Sequence, residues 1–141
     1  PPPTAVTTRW YLQRDGGLAT DPPTSAGEPD GYVYDPAEPT PAIGGIGMLT
    51  GGAVDNRPLE SRADVLVYTS DVLVEPLTVI GPVSAELFVS SSLDHTDFFV
   101  RLCDVHPDGR SLNVCDGLER VVPSMITDWV MAGSSVAGWR V

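Results

Sequence analysis

Leu77-Thr78-Val79-Ile80-Gly81-Pro82-Val83-Ser84-Ala85-Glu86-Leu87-Phe88-Val89-Ser90 is the stretch that decides the fold. Leu77, Val79, Val83, Ala85, Leu87 and Val89 recur at every second position, with Thr78, Ser84, Glu86 and Ser90 on the other phase. That period of two belongs to strands with one covered face, not to a helix, whose apolar positions recur every three to four residues. Gly81 and Pro82 break the run, because proline has no N–H for a ladder; the break predicts an edge, a bulge or a bend where the strand passes between sheets.

Moving outward, Arg62 to Gly117 keeps the pattern. Val65 and Val67 precede the run, and Phe98 to Val105 forms the next strand. His106-Pro107-Asp108-Gly109-Arg110 then reads as a hairpin turn, since Pro presets φ and Gly supplies the left-handed residue. Ser111 to Asp116 returns. With Pro107-Asp108-Gly109 as the loop, His106 faces Arg110, Cys103 faces Asn113 and Cys115 faces Arg101. Both cysteines then lie on one face as diagonal neighbours, about 7 to 8 Å apart, which is too far for easy disulfide closure, so free thiols are expected. The expected core is Leu77, Val79, Val83, Ala85, Leu87, Val89, Phe98, Val100 and Leu102.

Residues 1 to 60 are punctuated by Pro1-Pro2-Pro3, Asp21-Pro22-Pro23, Asp35-Pro36, Thr40-Pro41, Gly44-Gly45 and Gly51-Gly52, which forbids a long helix. Thr8-Arg9-Trp10-Tyr11-Leu12 and Gly31-Tyr32-Val33-Tyr34 read as strands between turns. The chain of 141 residues is 42% hydrophobic with 14 glycines and 14 prolines, which suits one small domain. No apolar run approaches the roughly 18 to 20 residues of a membrane span, and no signal-peptide pattern is present. All eight basic residues are arginine, against nineteen acids; the net charge of −11 disfavours nucleic acid and anionic membranes as partners. Two cysteines do not make a disulfide framework, and a cytoplasmic location is expected.

Three places carry side chains that catalysis could use. Asp94-His95-Thr96-Asp97 carries an imidazole and two carboxylates but no recognised ligand spacing, so it reads as a strand-entry turn and no metal is expected. His106 sits on a hairpin tip. Gly133-Ser134-Ser135-Val136-Ala137 is the nearest approach to a nucleophile elbow, but it lacks the last glycine and has no His or acid after it. A chain without lysine has no phosphate-binding P-loop. No catalytic, cofactor-binding or metal-binding residue is assigned. Trp10, Tyr11, Tyr32, Tyr34 and Tyr68 are candidates for a sugar platform, although core or interface packing explains such residues more often.

A set of motifs in fixed order goes further. Gly31-Tyr32-Val33-Tyr34-Asp35-Pro36, Pro39, Pro41 and Gly44-Gly45 come first, then Asp55-Asn56-Arg57-Pro58-Leu59-Glu60 and Arg62-Ala63-Asp64-Val65-Leu66-Val67-Tyr68-Thr69-Ser70. Leu77 to Val83, Thr96-Asp97-Phe98, Leu102 to Arg110 and Gly117-Leu118-Glu119-Arg120 follow. Together they resemble the C-terminal domain of X-Pro dipeptidyl-peptidases and cocaine-esterase-like hydrolases, the CocE/NonD family. The resemblance implies a jelly-roll β-sandwich of galactose-binding-like type that packs on an α/β-hydrolase domain and helps wall its cleft. It places the Ser, Asp and His of the triad in that other domain, so no catalytic residue transfers to this chain.

The resemblance covers residues 8 to 120. On it, residues 1–120 form a partial jelly roll and 121–141 a divergent tail. Pro123, Met125, Ile126, Trp129 and Val130 suit a short amphipathic helix, while a shifted reading frame or an unrelated replacement explains the tail as well. A sandwich lacking the family's further strands is expected to self-associate unless the tail covers its edges, with Trp129, Val130 and Trp139 at the contact. Three functions follow: an accessory domain of a hydrolase with esterase or dipeptidyl-peptidase activity, a free-standing carbohydrate-binding sandwich, or a structural oligomerisation module.

Overall fold

A computed structural model describes residues 4–25, 27–45, 51–121, 129–132 and 136–140, the last two stretches as backbone. Nine strands appear there: β1 Tyr11–Leu12, β2 Gly17–Ala19, β3 Thr69–Ser70, β4 Thr78–Gly81, β5 Ser84–Leu87, β6 Thr96–Val105, β7 Ser111–Val121, β8 Trp129–Ala132 and β9 Val136–Arg140. One helical turn, α1 Arg57–Glu60, and a 3-10 turn at Arg14–Gly16 are the described helical pieces. The fold is all-β and mainly antiparallel, as the period-two alternation predicts. The ladders are β1-β2-β3, in which β2 and β3 run parallel, and the antiparallel pairs β4-β9, β5-β8 and β6-β7.

The break at Gly81-Pro82 is a change of neighbour. β4 pairs with β9, whereas β5, beginning two residues after the proline, pairs with β8. The strand therefore bends between two ladders, one of the outcomes that Pro82 permits. The hairpin also closes as read: His106 N–H donates to the Arg110 carbonyl at 2.8 Å, and Gly109 N–H to the His106 carbonyl at 2.8 Å. Gly109 supplies φ +84° there.

Beyond the turn the register departs from the expectation. Cys103 faces Asn113, but the ladder slips between Leu102 and Cys103, so that Leu102 faces Cys115 and Arg101 faces Asp116. Cross-strand partners share a face, so the slip puts Cys115 in the phase of Leu102, opposite to that of Cys103. The two thiols are free and half-buried, and burial pushes the pKa of both up, which keeps them protonated and makes them poor nucleophiles.

Other segments differ as well. Of Thr8 to Leu12 only Tyr11–Leu12 is strand, and Gly31 to Tyr34 is irregular, as are Val65 and Val67. Aromatic and β-branched composition favours a strand but supplies no neighbour to pair with, and outside Tyr11–Leu12, which pairs with β2, these pieces gain none. In the tail, Trp129 and Val130 lie in β8, not in a helix; Pro123, Met125 and Ile126 fall outside the described residues. The ladder edges of β4 and β5 offer backbone partners that outweigh a weak helical periodicity.

The expected core keeps its phase but not its depth. Leu77, Val79, Val83, Ala85, Leu87, Val89, Phe98, Val100 and Leu102 are all half-buried, with exposed residues alternating between most of them. Among the described residues the most deeply buried side chains are polar: Asn56 and Ser111. Leu87→Ala should accordingly lower the unfolding free energy by about 1 to 2 kcal/mol, less than the 2 to 5 kcal/mol of a fully buried leucine, because part of its apolar area remains in water. Urea unfolding measures this; a loss beyond about 3 kcal/mol would show that the face is closed.

Candidate functional site

Asp55-Asn56-Arg57-Pro58-Leu59-Glu60 begins with Asp55 in an isolated antiparallel bridge to Leu112 of β7. Pro58 sits in the first turn of α1, where a missing N–H costs nothing. Asn56 occupies the N-cap position yet makes no capping bond. Its amide group donates instead to the Val54 carbonyl at 2.9 Å and the Ser111 carbonyl at 3.1 Å, while its own N–H donates to the Ser111 carbonyl at 2.7 Å. Asn113, 8% exposed, accepts from Val54 N–H at 2.8 Å and donates to the Gly52 carbonyl at 3.1 Å.

Arg101 closes this polar knot. Its Nη1 donates to the Ile43 carbonyl at 2.7 Å and to Asn56 Oδ1 at 2.8 Å, and Nη2 pairs with Asp116 Oδ2 at 2.9 Å. The guanidinium lies 5.0 Å from the centre of the Phe99 ring. Nε is buried without a hydrogen-bond partner among the described residues. Ser111 donates its hydroxyl proton to Glu60, and Asp55 accepts from Arg57 and from Ser111 N–H; the Arg57 guanidinium beside it holds the Asp55 carboxyl down at about 2. A second clamp joins Arg62 to Asp64 at 2.7 and 2.8 Å, with Thr40 donating to the same carboxylate, and these bonds keep Asp64 ionised well below the usual carboxylate range. Apart from Arg101 Nε, the side-chain bonds of these clusters run to acceptors of the same chain, so their chemistry is architectural: they tie residues 38–64 to the β6–β7 hairpin.

The residues weighed for catalysis are scattered. His95 is exposed. His106 Nε2 lies 3.3 Å from Asp104 Oδ2 at the hairpin. Ser134 and Ser135 lie outside the described residues. Among the described residues no three His, Cys, Asp or Glu side chains converge as metal ligands, and no helix is long and apolar enough to cross a membrane.

The aromatics have separate surroundings. Tyr68 donates to Asp30 at 2.6 Å, and burial together with that bond pushes its hydroxyl up to about 12. Burial, with Asp64 nearby, also raises Tyr32. Trp10 and Tyr11 are half-buried, and Tyr34 is exposed. An open cleft of about 430 Å³ runs between Leu12, Arg14, Pro23, Asp30 and Tyr68. The polar knot escaped the sequence reading because Arg101 meets Asn56 from 45 residues away and Ile43 from 58, although the Asp55 to Glu60 motif already marked one side of it.

Residues 1–131 match the X-Pro dipeptidyl-peptidase C-terminal non-catalytic domain. The match runs past Arg120, where the resemblance read from the motifs stops. Cocaine esterase of Rhodococcus sp. strain MB1 Bresler is 45% identical over 109 residues, covering 75% of this chain and 19% of that protein. The structure superposes on an alpha-amino acid ester hydrolase with a TM-score of 0.65 at 26% identity, over 95% of this chain and 25% of the other. The chain thus spans about a fifth to a quarter of the length of these relatives. It belongs to the family of X-Pro dipeptidyl-peptidase C-terminal non-catalytic domains.

Proposed function

We propose that this chain is the accessory sandwich of a serine α/β-hydrolase, packing on a catalytic domain and helping to form its substrate cleft, with the nucleophile, base and acid supplied by that domain. The observation that carries the reading is the non-catalytic family match along residues 1–131. Two relatives named as ester hydrolases favour an ester over an X-Pro amide as the parent's substrate. Val72-Leu73-Val74, with its end residues 93% and 98% exposed, is an aliphatic run of the kind a neighbouring domain covers. In this reading residues 1–120 form a jelly-roll body of galactose-binding-like type and 121–141 a tail that adds edge strands. The free thiols suit a cytoplasmic setting, and the net charge of −11 suits neither nucleic acid nor an anionic membrane as partner.

Incubated with an activated ester or an X-Pro chromogenic dipeptide, the isolated chain should match the uncatalysed rate, because no nucleophile, base and orienting acid are assembled among the described residues. Turnover that persists through purification and disappears on Ser135→Ala would overturn the reading. So would an upstream reading frame that encodes no hydrolase domain.

A further inference from the structure

An aspartate followed by glycine can close a ring on its own backbone, because glycine leaves the next amide nitrogen uncovered. Four such steps occur here: Asp15-Gly16, Asp30-Gly31, Asp108-Gly109 and Asp116-Gly117. The fold holds three of them. Arg110 takes both oxygens of Asp108, through its N–H at 3.1 Å and Nε at 2.7 Å, and Gly109 N–H donates to the His106 carbonyl. Asp116 pairs with Arg101, and Gly117 faces Val100 within the β6–β7 ladder. Asp15 at φ +61° and Gly16 at φ +75° form the left-handed turn between β1 and β2, which Gly17 N–H closes on the Arg14 carbonyl. Gly16 also lies against the Val67 carbonyl, 2.9 Å from where a Cβ would stand. Asp30-Gly31 is not held in this way. Residues 27–34 are exposed and in no helix or strand, and nothing lies within 4 Å of a Cβ placed on Gly31. Among the described residues the Gly31 N–H has no hydrogen-bond partner, and the Asp30 carboxylate has one, Tyr68, which donates to Oδ2.

We infer that Asp30 is a modification site, at which the folded chain isomerises to isoaspartate. The Gly31 amide nitrogen attacks Cγ of Asp30: an N–Cγ bond forms, one Cγ–O bond breaks, and that oxygen leaves as water with the amide proton and the carboxyl proton. A second water opens the cyclic imide. Addition at Cγ restores aspartate. Addition at the main-chain carbonyl carbon of Asp30 breaks its bond to nitrogen instead, so the chain runs through Cβ and Cγ and the old carbonyl becomes a free carboxylate. Water is lost and regained, and no oxidant or cofactor is consumed. Ring closure requires ψ of the aspartate to rotate until the nitrogen faces Cγ. At Asp30 this disturbs one exposed hydrogen bond, whereas at the other three steps it breaks a turn, a ladder or an ion pair. The product places an α-carboxylate on an exposed segment that lines the cleft beside Tyr68, and this is the group that isoaspartyl methyltransferases esterify with S-adenosylmethionine. The site goes beyond the hydrolase reading and does not depend on it.

The 141-residue chain is incubated at neutral pH, folded in buffer or unfolded in guanidinium chloride, and labelled with an isoaspartyl methyltransferase and S-adenosylmethionine. Electron-transfer fragmentation in a mass spectrometer locates the label. In guanidinium chloride, where local sequence alone acts, all four steps should take it. In buffer Asp30 should continue to react, while Asp15, Asp108 and Asp116 slow by about tenfold or more, the factor that about 1.4 kcal/mol of restraint supplies. An Asp-N endoproteinase, which cuts before aspartate but not before isoaspartate, should lose its cut at Asp30 over the same period. Asp30→Glu, which needs a larger ring, and Gly31→Val, which covers the nitrogen, should each abolish the label at this position. Both positions are exposed, and circular dichroism checks that the variants fold. A folded chain that takes no label at Asp30 overturns the inference. So does one in which another Asp-Gly step reacts as fast, or a label at position 30 that survives Asp30→Glu.

Discussion

Arg101→Met should lower the unfolding free energy by about 3 kcal/mol, because it removes one partner from a largely buried ion pair and orphans two further acceptors. The arginine side chain is 12% exposed and that of Asp116 is 20% exposed, so neither is well served by water. Methionine retains an unbranched apolar stem of similar reach, and the loss therefore reports the polar contacts more than volume. What remains is an unpaired Asp116 carboxylate, an Asn56 Oδ1 inside a residue that is 2% exposed, and a free Ile43 carbonyl. For a chain of this size the loss corresponds to a fall in Tm of about 10 °C. Asp116→Asn keeps an acceptor in place and should cost about 1 kcal/mol. If Arg101→Met unfolds at the parent's denaturant midpoint, the knot does not hold the hairpin to residues 43–56.

Gly44→Ala should cost about 2 to 4 kcal/mol by a different route. Gly44 adopts φ +64°, the left-handed region that an L-residue enters only at a cost. A Cβ there would lie 2.6 Å from Val54 Cγ2, 2.9 Å from the Gly52 carbonyl oxygen and 3.0 Å from Asn113 Oδ1. The valine methyl can move. The carbonyl cannot move freely, because it accepts from both Gly45 N–H and Asn113. Gly31→Ala is the matched control: nothing lies within 4 Å of its added methyl and its φ is ordinary, so its effect should stay within about 0.5 kcal/mol. Equal midpoints for the two variants in thermal or urea unfolding would show that the Gly44 turn is not packed against residues 52–54.

These two effects lie in a region that single-residue patterns do not disclose. Pro58 suits the first turn of a helix, and α1 is one helical turn, although Asn56 at its N-cap makes no side-chain capping bond. Why Asn56 and Ser111 become the most buried side chains is a matter of partners 55 residues apart. The aromatic stretch at Gly31 to Tyr34 shows the reverse error, since strand-like composition there meets no strand. Composition expresses a preference of a few tenths of a kcal/mol per residue, and a ladder partner decides the outcome.

Periodicity and its punctuation are legible from the residues alone. Alternation from Leu77 to Val105 sets strands and their two faces, Pro82 sets the bend between ladders, and Pro107-Asp108-Gly109 sets the hairpin, because each follows from backbone geometry within a few residues. The ordered motifs from Gly31 to Arg120 carried the family. Tertiary structure alone decided the slip at Leu102 and Cys103 that separates the thiols onto two faces, the polar knot around Arg101, and the pairing of β8 and β9 with β5 and β4. Each of these depends on which distant segment satisfies a given N–H, C=O or guanidinium, and a hydrogen bond between segments far apart in the chain leaves no period in either of them.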